Sequence, residues 1–327
     1  MQEFIIKRII YLIPTLILIS VVSFIIITLP PGDYLTARIA ELELQGDTSS
    51  RQYLEQLRGH YGLDRPVYHQ YWLWISRFVR GDFGYSFEYN RPARELIGER
   101  LALTMLLSVC ILAFTWLVAI PIGILSATRP RSIFDRVATF VSFGGMATPG
   151  FLLALVLLVW VLYTFDISLM GLFSAEYRNA PWSFAKVIDL LKHLWLPVVI
   201  IGMQGTAGLV RIMRANMLDI LGQQYVTTAR AKGVKESLVV YKHALRVAIN
   251  PLISIAGMSL PAIIGGEMLT SIVLNLPTTG PLFYRALMVQ DMFLAGSFLM
   301  FLVMFLVLGN FIADLALAWV DPRIRYE

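Results

Sequence analysis

Charged residues are scarce in this sequence. Asp, Glu, Lys and Arg fill 15% of its 327 positions, where soluble domains carry about 25%. A water-facing globular surface cannot be built on that proportion, so the composition excludes an ordinary soluble domain. Cysteine occurs once, as Cys110, which rules out an internal disulfide and a thiolate metal site. The four histidines, His60, His69, His193 and His243, are scattered without metal-ligand spacing. A Gly-Lys dipeptide occurs nowhere, so no Walker A phosphate loop can form from this chain. Internal repeats and low-complexity tracts are missing too.

What the chain has instead is long apolar runs: Ile9–Gly32, Leu101–Thr128, Val137–Phe165, Leu194–Val210, Val247–Gly266 and Met292–Ala313. A bilayer core takes roughly 20 apolar residues as helix, and the continuity of the runs excludes the alternating strands of a membrane β-barrel. Expected is an all-α polytopic membrane protein with six transmembrane helices. Lys7 and Arg8 precede the first run, which is too long for the apolar core of a cleaved signal peptide and reads as an uncleaved anchor.

Charge distribution sets the expected orientation. With the N-terminus inside, segments 1–8, 128–136, 211–246 and 321–327 face the cytoplasm, and 30–99, 166–193 and 275–292 face outward. Lys and Arg are roughly twice as dense in the inner set, as the positive-inside rule requires. Both termini are therefore expected inside. The +5 net charge follows from this asymmetry, and no nucleic-acid partner is expected.

The chain divides by polarity into a first transmembrane helix (1–29), an extracytoplasmic region (30–99) and a core (100–327) with five further spans and a cytoplasmic loop at 214–246. In the extracytoplasmic region, Tyr68, Tyr71, Trp72, Trp74 and Phe78 fit an amphipathic helix at the outer membrane interface, where Trp and Tyr collect. A lip that touches substrate is the alternative. Prolines and glycines in the later spans, among them Pro121, Gly123, Pro149, Gly150, Pro197, Pro261, Gly265 and Gly266, fit close helix packing or broken helices along a transport pathway.

The cytoplasmic stretch TTARAKGVKESLVVYKHALR (227–246) reads as a helix pair. The first helix covers Gln223–Lys232, with small residues at Thr227, Thr228, Ala229 and Ala231. Gly233 suits a left-handed cap. A second helix follows, its apolar face formed by Val234, Leu238, Tyr241 and Leu245. The small-residue tip suits insertion into a groove on another protein, while the basic face also suits anionic lipid headgroups. In the fifth run's continuation, Glu267 follows twenty uncharged residues, about 30 Å of helix. It is a candidate pathway or outer-gate residue together with Ser271 and Asn275, an interfacial solvated carboxylate being the alternative.

YVTTARAKGVKESLVVYKHALRVAINP resembles the cytoplasmic loop of binding-protein-dependent ABC permeases, in the version of the dipeptide/oligopeptide/nickel subfamily. The matching residues are Tyr225, Val226, Thr228, Ala229, Arg230, Ala231, Lys232 and Gly233, then His243-Ala244-Leu245-Arg246 and Pro251. GLDRPVYHQY (62–71), GDFGYSF (81–87) and DPRIR (321–325) extend the resemblance over nearly the whole chain. Departures are Thr227 at the signature's glutamate, Leu245-Arg246 at its leucine-proline pair, Ser271 at a common glutamate, and Thr278-Thr279 within the usual proline-glycine-x-glycine turn.

The resemblance implies a type I ABC importer permease fold in the cell (inner/cytoplasmic) membrane. It implies four kinds of neighbour: a second permease subunit, two nucleotide-binding ATPase subunits, an extracytoplasmic substrate-binding protein and membrane lipid. No cofactor is expected in this chain, since ATP and Mg would sit on the ATPase subunits, which would dock on Tyr225, Thr228, Ala229, Arg230, Ala231, Lys232 and Gly233. Di- or oligopeptides are the implied cargo, with nickel chelates or oligosaccharides as alternatives. A passive channel gives no reason for the helix pair, and an intramembrane enzyme would need convergent catalytic groups that are not evident.

Overall fold

The third apolar run is not one straight helix. In the computed structural model, which describes residues 2–30, 32, 34–45, 48–166, 169–256, 259 and 268–320, it divides into α6 (Ile133–Ala147) and α7 (Gly150–Phe165), which meet at 101°. The cause lies in Thr148-Pro149. A residue before proline is pushed out of the helical region, and Thr148 adopts φ −90°, ψ 121° with Pro149 at φ −60°, ψ 133°. The Thr148 carbonyl, freed from the helical ladder, accepts from Gln204 Nε2 at 2.8 Å. A broken helix in a membrane protein is tolerated when a neighbour satisfies the exposed backbone in this way.

The other runs fall on helices as follows. Run one lies in α1 (Gln2–Thr28), run two in α5 (Ala93–Thr128) and run four inside the 38-residue α8 (Phe184–Leu221). Run six lies in α14 (Met292–Val320). Between them come α2 (Tyr34–Gln45), α3 (Thr48–Tyr61), α4 (Val67–Val79), α9 (Gln224–Ala231), α10 (Glu236–Ala248), α11 (Asn250–Ala256), α12 (Met268–Val273) and α13 (Thr279–Met288). Two helices, Ala93–Thr128 and Met292–Leu315, are by themselves long and apolar enough to cross a membrane among the described residues. Two bent pairs, α6 with α7 and α10 with α11 at 45°, could each supply another crossing. The remainder of run five, with Pro261, Gly265, Gly266 and Glu267, lies outside the described residues, as does DPRIR.

The chain forms two compact units. One comprises 103–277 and 306–327. Its cores are built on α8. Leu107 and Ile111 of α5, Val161 of α7, and Leu172, Leu274 and Leu276 surround Leu190, Leu196 and Ile200. Farther along, Ala119, Ile124 and Ala127 of α5 meet Leu209, Met213 and Met217, joined by Val240, Ala244, Ala248 and Leu252. Glycine permits this close approach: a Cβ at Gly123 would stand 2.6 Å from Met213, and one at Gly202 would stand 2.6 Å from Phe114. The close packing expected at Gly123 is present, and Gly202 adds a second such contact.

The second unit comprises 2–102 and 278–305. A two-stranded hairpin, β1 (Tyr85–Ser86) and β2 (Arg91–Pro92), pairs antiparallel. Gly84 precedes it at φ +82°, where a Cβ would lie 2.7 Å from Phe293 of α14. Ser297 Oγ donates to the Phe83 carbonyl at 2.6 Å. Asp291, fully buried, caps α14 by accepting from Leu294 N and receives Ser86 Oγ at 2.5 Å. The GDFGYSF segment is thereby tied to the start of α14. Thr278 and Thr279, where the family turn departs, are buried at the start of α13.

In this unit α4 packs against α1. Of the five aromatic residues expected on an amphipathic helix at the outer interface, Trp74 and Phe78 are buried in the core and Tyr71 packs against it. Tyr68 and Trp72 are exposed. The aromatic residues therefore divide between two faces, since 71, 74 and 78 share one helical stripe and 68 and 72 another.

Candidate functional site

The loop between α8 and α11 builds its site from short elements. In α9, Val226 is completely buried and anchors the helix, while Tyr225, Thr227, Thr228, Arg230, Ala231, Lys232 and Gly233 are exposed and Ala229 is half-buried. Gly233 has φ +75°. Its N–H bonds the Arg230 carbonyl at 2.9 Å, and Val234 N–H reaches back to Ala229 O at 3.2 Å. That pair of bonds is the Schellman cap, whose left-handed residue is most often glycine. A Cβ at Gly233 would meet nothing within 4 Å, so the backbone angle, not crowding, is what calls for glycine there.

Arg230 links the two helices. Its Nε and Nη2 donate to the two carboxylate oxygens of Glu236 at 3.1 and 2.7 Å. This fork holds the Glu236 carboxyl below the usual carboxylate range. The guanidinium is engaged within the loop, so the exposed tip on either side of Gly233 is fixed relative to α10.

The expected apolar face of the second helix is corrected by its geometry. Residues Val239–Ala244 are π-helical, which adds a residue to the turn and rotates the stripe. The buried residues are Val239, Val240, Ala244 and Ala248, of which the last three pack with Met213 and Met217 of α8. Val234 and Leu245 are half-buried, and Leu238 and Tyr241 are 50% and 59% exposed. With Tyr225 at 46% exposed, these three side chains stand out from this loop, as does Val247 near the end of α10. The predicted helix pair and glycine joint are present, and the inward face is a different one.

Beneath the loop, Asp135 and Arg214 form a pair absent from the sequence reading. Arg214 Nε and Nη2 donate to Asp135 Oδ1 and Oδ2 at 2.6 and 2.8 Å, joining α6 to α8. Asp135 is only 3% exposed and also accepts from Arg131 N, while Ser132 caps α6 through Asp135 N. The Arg214 bonds hold its carboxyl below the ordinary range. A second missed residue is Lys186. It is buried, donates to the Ala180 carbonyl at 2.5 Å, and lies 4.9 Å from the Phe173 ring centre and 5.3 Å from that of Trp182, a cation–π arrangement. Pattern signals could not find these pairings because their partners are remote or irregular.

The candidate gate residues are not gathered into one site. Ser271 is buried in α12, whereas Asn275 is exposed after that helix at φ +51°. Glu267 lies outside the described residues. Elsewhere in the same unit a cavity of about 300 Å³ opens between α5 and α8, lined by Thr115, Gln204, Gly205, Gly208, Ile255 and Ser259 among others. Its walls are mostly apolar with a few hydroxyl and amide groups, the usual character of a small-molecule cavity. Neither Ser271 nor Asn275 lines it.

Residues 119–326 match the family described as binding-protein-dependent transport system inner membrane component, and residues 1–109 match the N-terminal membrane-component model of the same kind of system. The chain is 37% identical over 327 residues to the oligopeptide transport system permease protein AppB of Bacillus subtilis (strain 168), covering 100% of both chains. It is 32% identical over the same full length to the glutathione transport system permease protein GsiC of Escherichia coli (strain K12), and 33% to that of Pectobacterium atrosepticum.

Proposed function

From the premise that this chain belongs to the binding-protein-dependent transport system inner membrane component family, we propose that it is the permease subunit of an ATP-driven ABC importer for peptides. Its full-length similarity to oligopeptide and glutathione permeases supports the cargo class, glutathione itself being a small peptide. The transporter would lie in the cytoplasmic membrane with six spans and both termini inside. A second permease subunit, two ATPase subunits that carry ATP and Mg, and an extracytoplasmic binding protein would complete it.

The observation that carries this reading is the exposed tip at Ala231–Gly233, held against α10 by Arg230–Glu236 and flanked by Tyr225, Leu238 and Tyr241. A rigid small-residue tip with an apolar surround suits a groove on an ATPase subunit. Closure of the ATPase pair would push on α9 and α10, and the Met213 and Met217 packing would pass the motion to α8. Alternating access follows if α8 rocks with its neighbours.

Ala231→Arg fills the tip, and Gly233→Pro forbids its positive φ. Both variants are expected to insert normally, bind partner subunits weakly, and lose substrate-stimulated ATP hydrolysis and uptake. Hydrolysis and uptake at the unmodified level would reject docking through this tip. Mass spectrometry of the ligand retained by the co-purified binding protein identifies the cargo. A nickel chelate or an oligosaccharide there, in place of a peptide, would redirect the substrate assignment and leave the docking result standing.

A further inference from the structure

The helix α4 has two apolar stripes, and only one is covered by protein. The covered stripe is Tyr71, Trp74 and Phe78. Tyr71 Oη and Ser20 Oγ share a 2.8 Å hydrogen bond. Phe24 meets the Tyr71 ring edge-on at 5.4 Å between centres and Trp74 at 5.6 Å. Phe78 lies 6.2 Å from Phe301 of α14, and a Cβ on Gly296 would stand 3.2 Å from the Trp74 indole. The bare stripe is Tyr68, Trp72 and Val79, at i, i+4 and i+11, with Tyr68 76%, Trp72 67% and Val79 79% exposed, while Ile75 between them is half-buried and packs against the core. Polar groups gather on the opposite side. Gln70 Nε2 donates to the Leu63 and Arg65 carbonyls, and His69 pairs with Arg65.

Contacts with α1 and α14 fix how deep α4 sits. At 1.5 Å per residue, Ser20 is about 12 Å inside the Thr28 end of α1. Phe301 is about 14 Å inside the Met292 end of α14. The outward side of α1 stays apolar past Ser20 through Val22, Ile25, Ile26 and Leu29, each exposed. Those residues carry the bilayer's apolar level beyond the depth at which Tyr71 touches α1. A hydrocarbon core about 30 Å thick extends well past 12 Å from either surface.

We infer that α4 lies within the leaflet at the C-terminal end of α1, with Tyr68, Trp72 and Val79 packed against lipid. The occupant is lipid because the bare stripe stands at the depth of the lipid-facing residues of α1 and is continuous with the apolar arc that binds α1. The polar arc, with its backbone-paired Gln70, turns toward the 62–66 turn. Tyr and Trp at one end of the stripe suit the headgroup level, where an amphipathic ring keeps one end wet. The inference rests on α1 crossing the membrane.

Nitroxide labels at Tyr68→Cys, Trp72→Cys and Val79→Cys, each with Cys110→Ser, in the full chain in its native assembly in liposomes, test it through collision with molecular oxygen and a water-soluble nickel chelate. An Ile17→Cys label on α1 reports the bilayer, and a label at the exposed Glu176→Cys reports water. Expected is an oxygen-to-nickel ratio at 72 and 79 close to that at 17 and several-fold above that at 176, with 68 between. A nickel-dominated label at 72 and 79 places the stripe in water and overturns the inference. Immobile labels shielded from both reagents place it under a protein partner and overturn it equally. If the label at 17 also prefers nickel, the membrane reading of α1 fails and the inference goes with it.

Discussion

Asp135 shows how much one buried carboxylate can hold together. Ser132 caps α6 through the Asp135 amide, while the Asp135 side chain accepts the Arg131 amide and the forked Arg214 guanidinium. Removing one partner of a buried pair costs about 3–5 kcal/mol. The 31% exposure of the Arg214 side chain places Asp135→Asn near the lower end. Differential scanning fluorimetry of the solubilised chain should show a lower melting midpoint for Asp135→Asn at neutral pH. The folded carboxyl is held below its unfolded value of about 3.9, so its stabilisation is complete above that value and fades as pH falls through the folded one. The midpoint gap should stay constant from pH 7 to about pH 5 and narrow below pH 4. A gap unchanged at pH 3 would show that the charge is not what Asp135 contributes. Asp291 titrates in the opposite sense, since burial pushes its carboxyl up despite the Ser86 and Leu294 donors.

At the scale of the element, α10 separates its duties between faces. Its buried side, Val240, Ala244 and Ala248, fixes the helix to α8, and its bare side, Leu238 and Tyr241, is left for another surface. Ala244→Phe inserts a ring where the present side chain has no exposure, and such overpacking costs about 1–3 kcal/mol. Thermal stability should fall. The double change Leu238→Ser with Tyr241→Ser should leave the melting midpoint unchanged and depress substrate-stimulated ATP hydrolysis, because the lost groups touch no core. Loss of stability in the double serine variant would show that this face is used within the fold. The glycine joint and the helix pair were legible in the sequence because a left-handed cap and local spacing depend on neighbouring residues. The π-helical turn at Val239–Ala244 was not, since it arises from fitting α10 against Met213 and Met217, remote in the chain.

At the scale of the molecule, transport requires a passage, and the cavity beside Gly205 and Gly208 offers space between α5 and α8. A Cβ at Gly208 would meet nothing within 4 Å. Gly208→Leu is therefore expected to fold with an unchanged melting midpoint while filling part of the 300 Å³ cavity. If cargo passes there, uptake in proteoliposomes falls on the order of tenfold, the effect of about 1.4 kcal/mol on a barrier, with partner assembly intact. Normal uptake by Gly208→Leu would remove this cavity from the path.

The sequence by itself determined the membrane-bound, helical character of the chain, its likeness to ABC permeases and the place of the α9–α10 helix pair. Each rests on composition, on runs of apolar residues or on local backbone preference, and these act between residues near in the chain. Thr148-Pro149 also carried its break in the sequence, although only the structure gave the 101° angle and the Gln204 bond that satisfies the freed carbonyl. Tertiary structure alone decided that Asp135 meets Arg214, that Asp291 receives Ser86, and that Tyr71 and Trp74 turn inward while Tyr68 and Trp72 turn out. In each case partners far apart in the chain come together: a buried polar group needs a hydrogen-bonding partner, and the buried rings gain from packing edge-on against other rings.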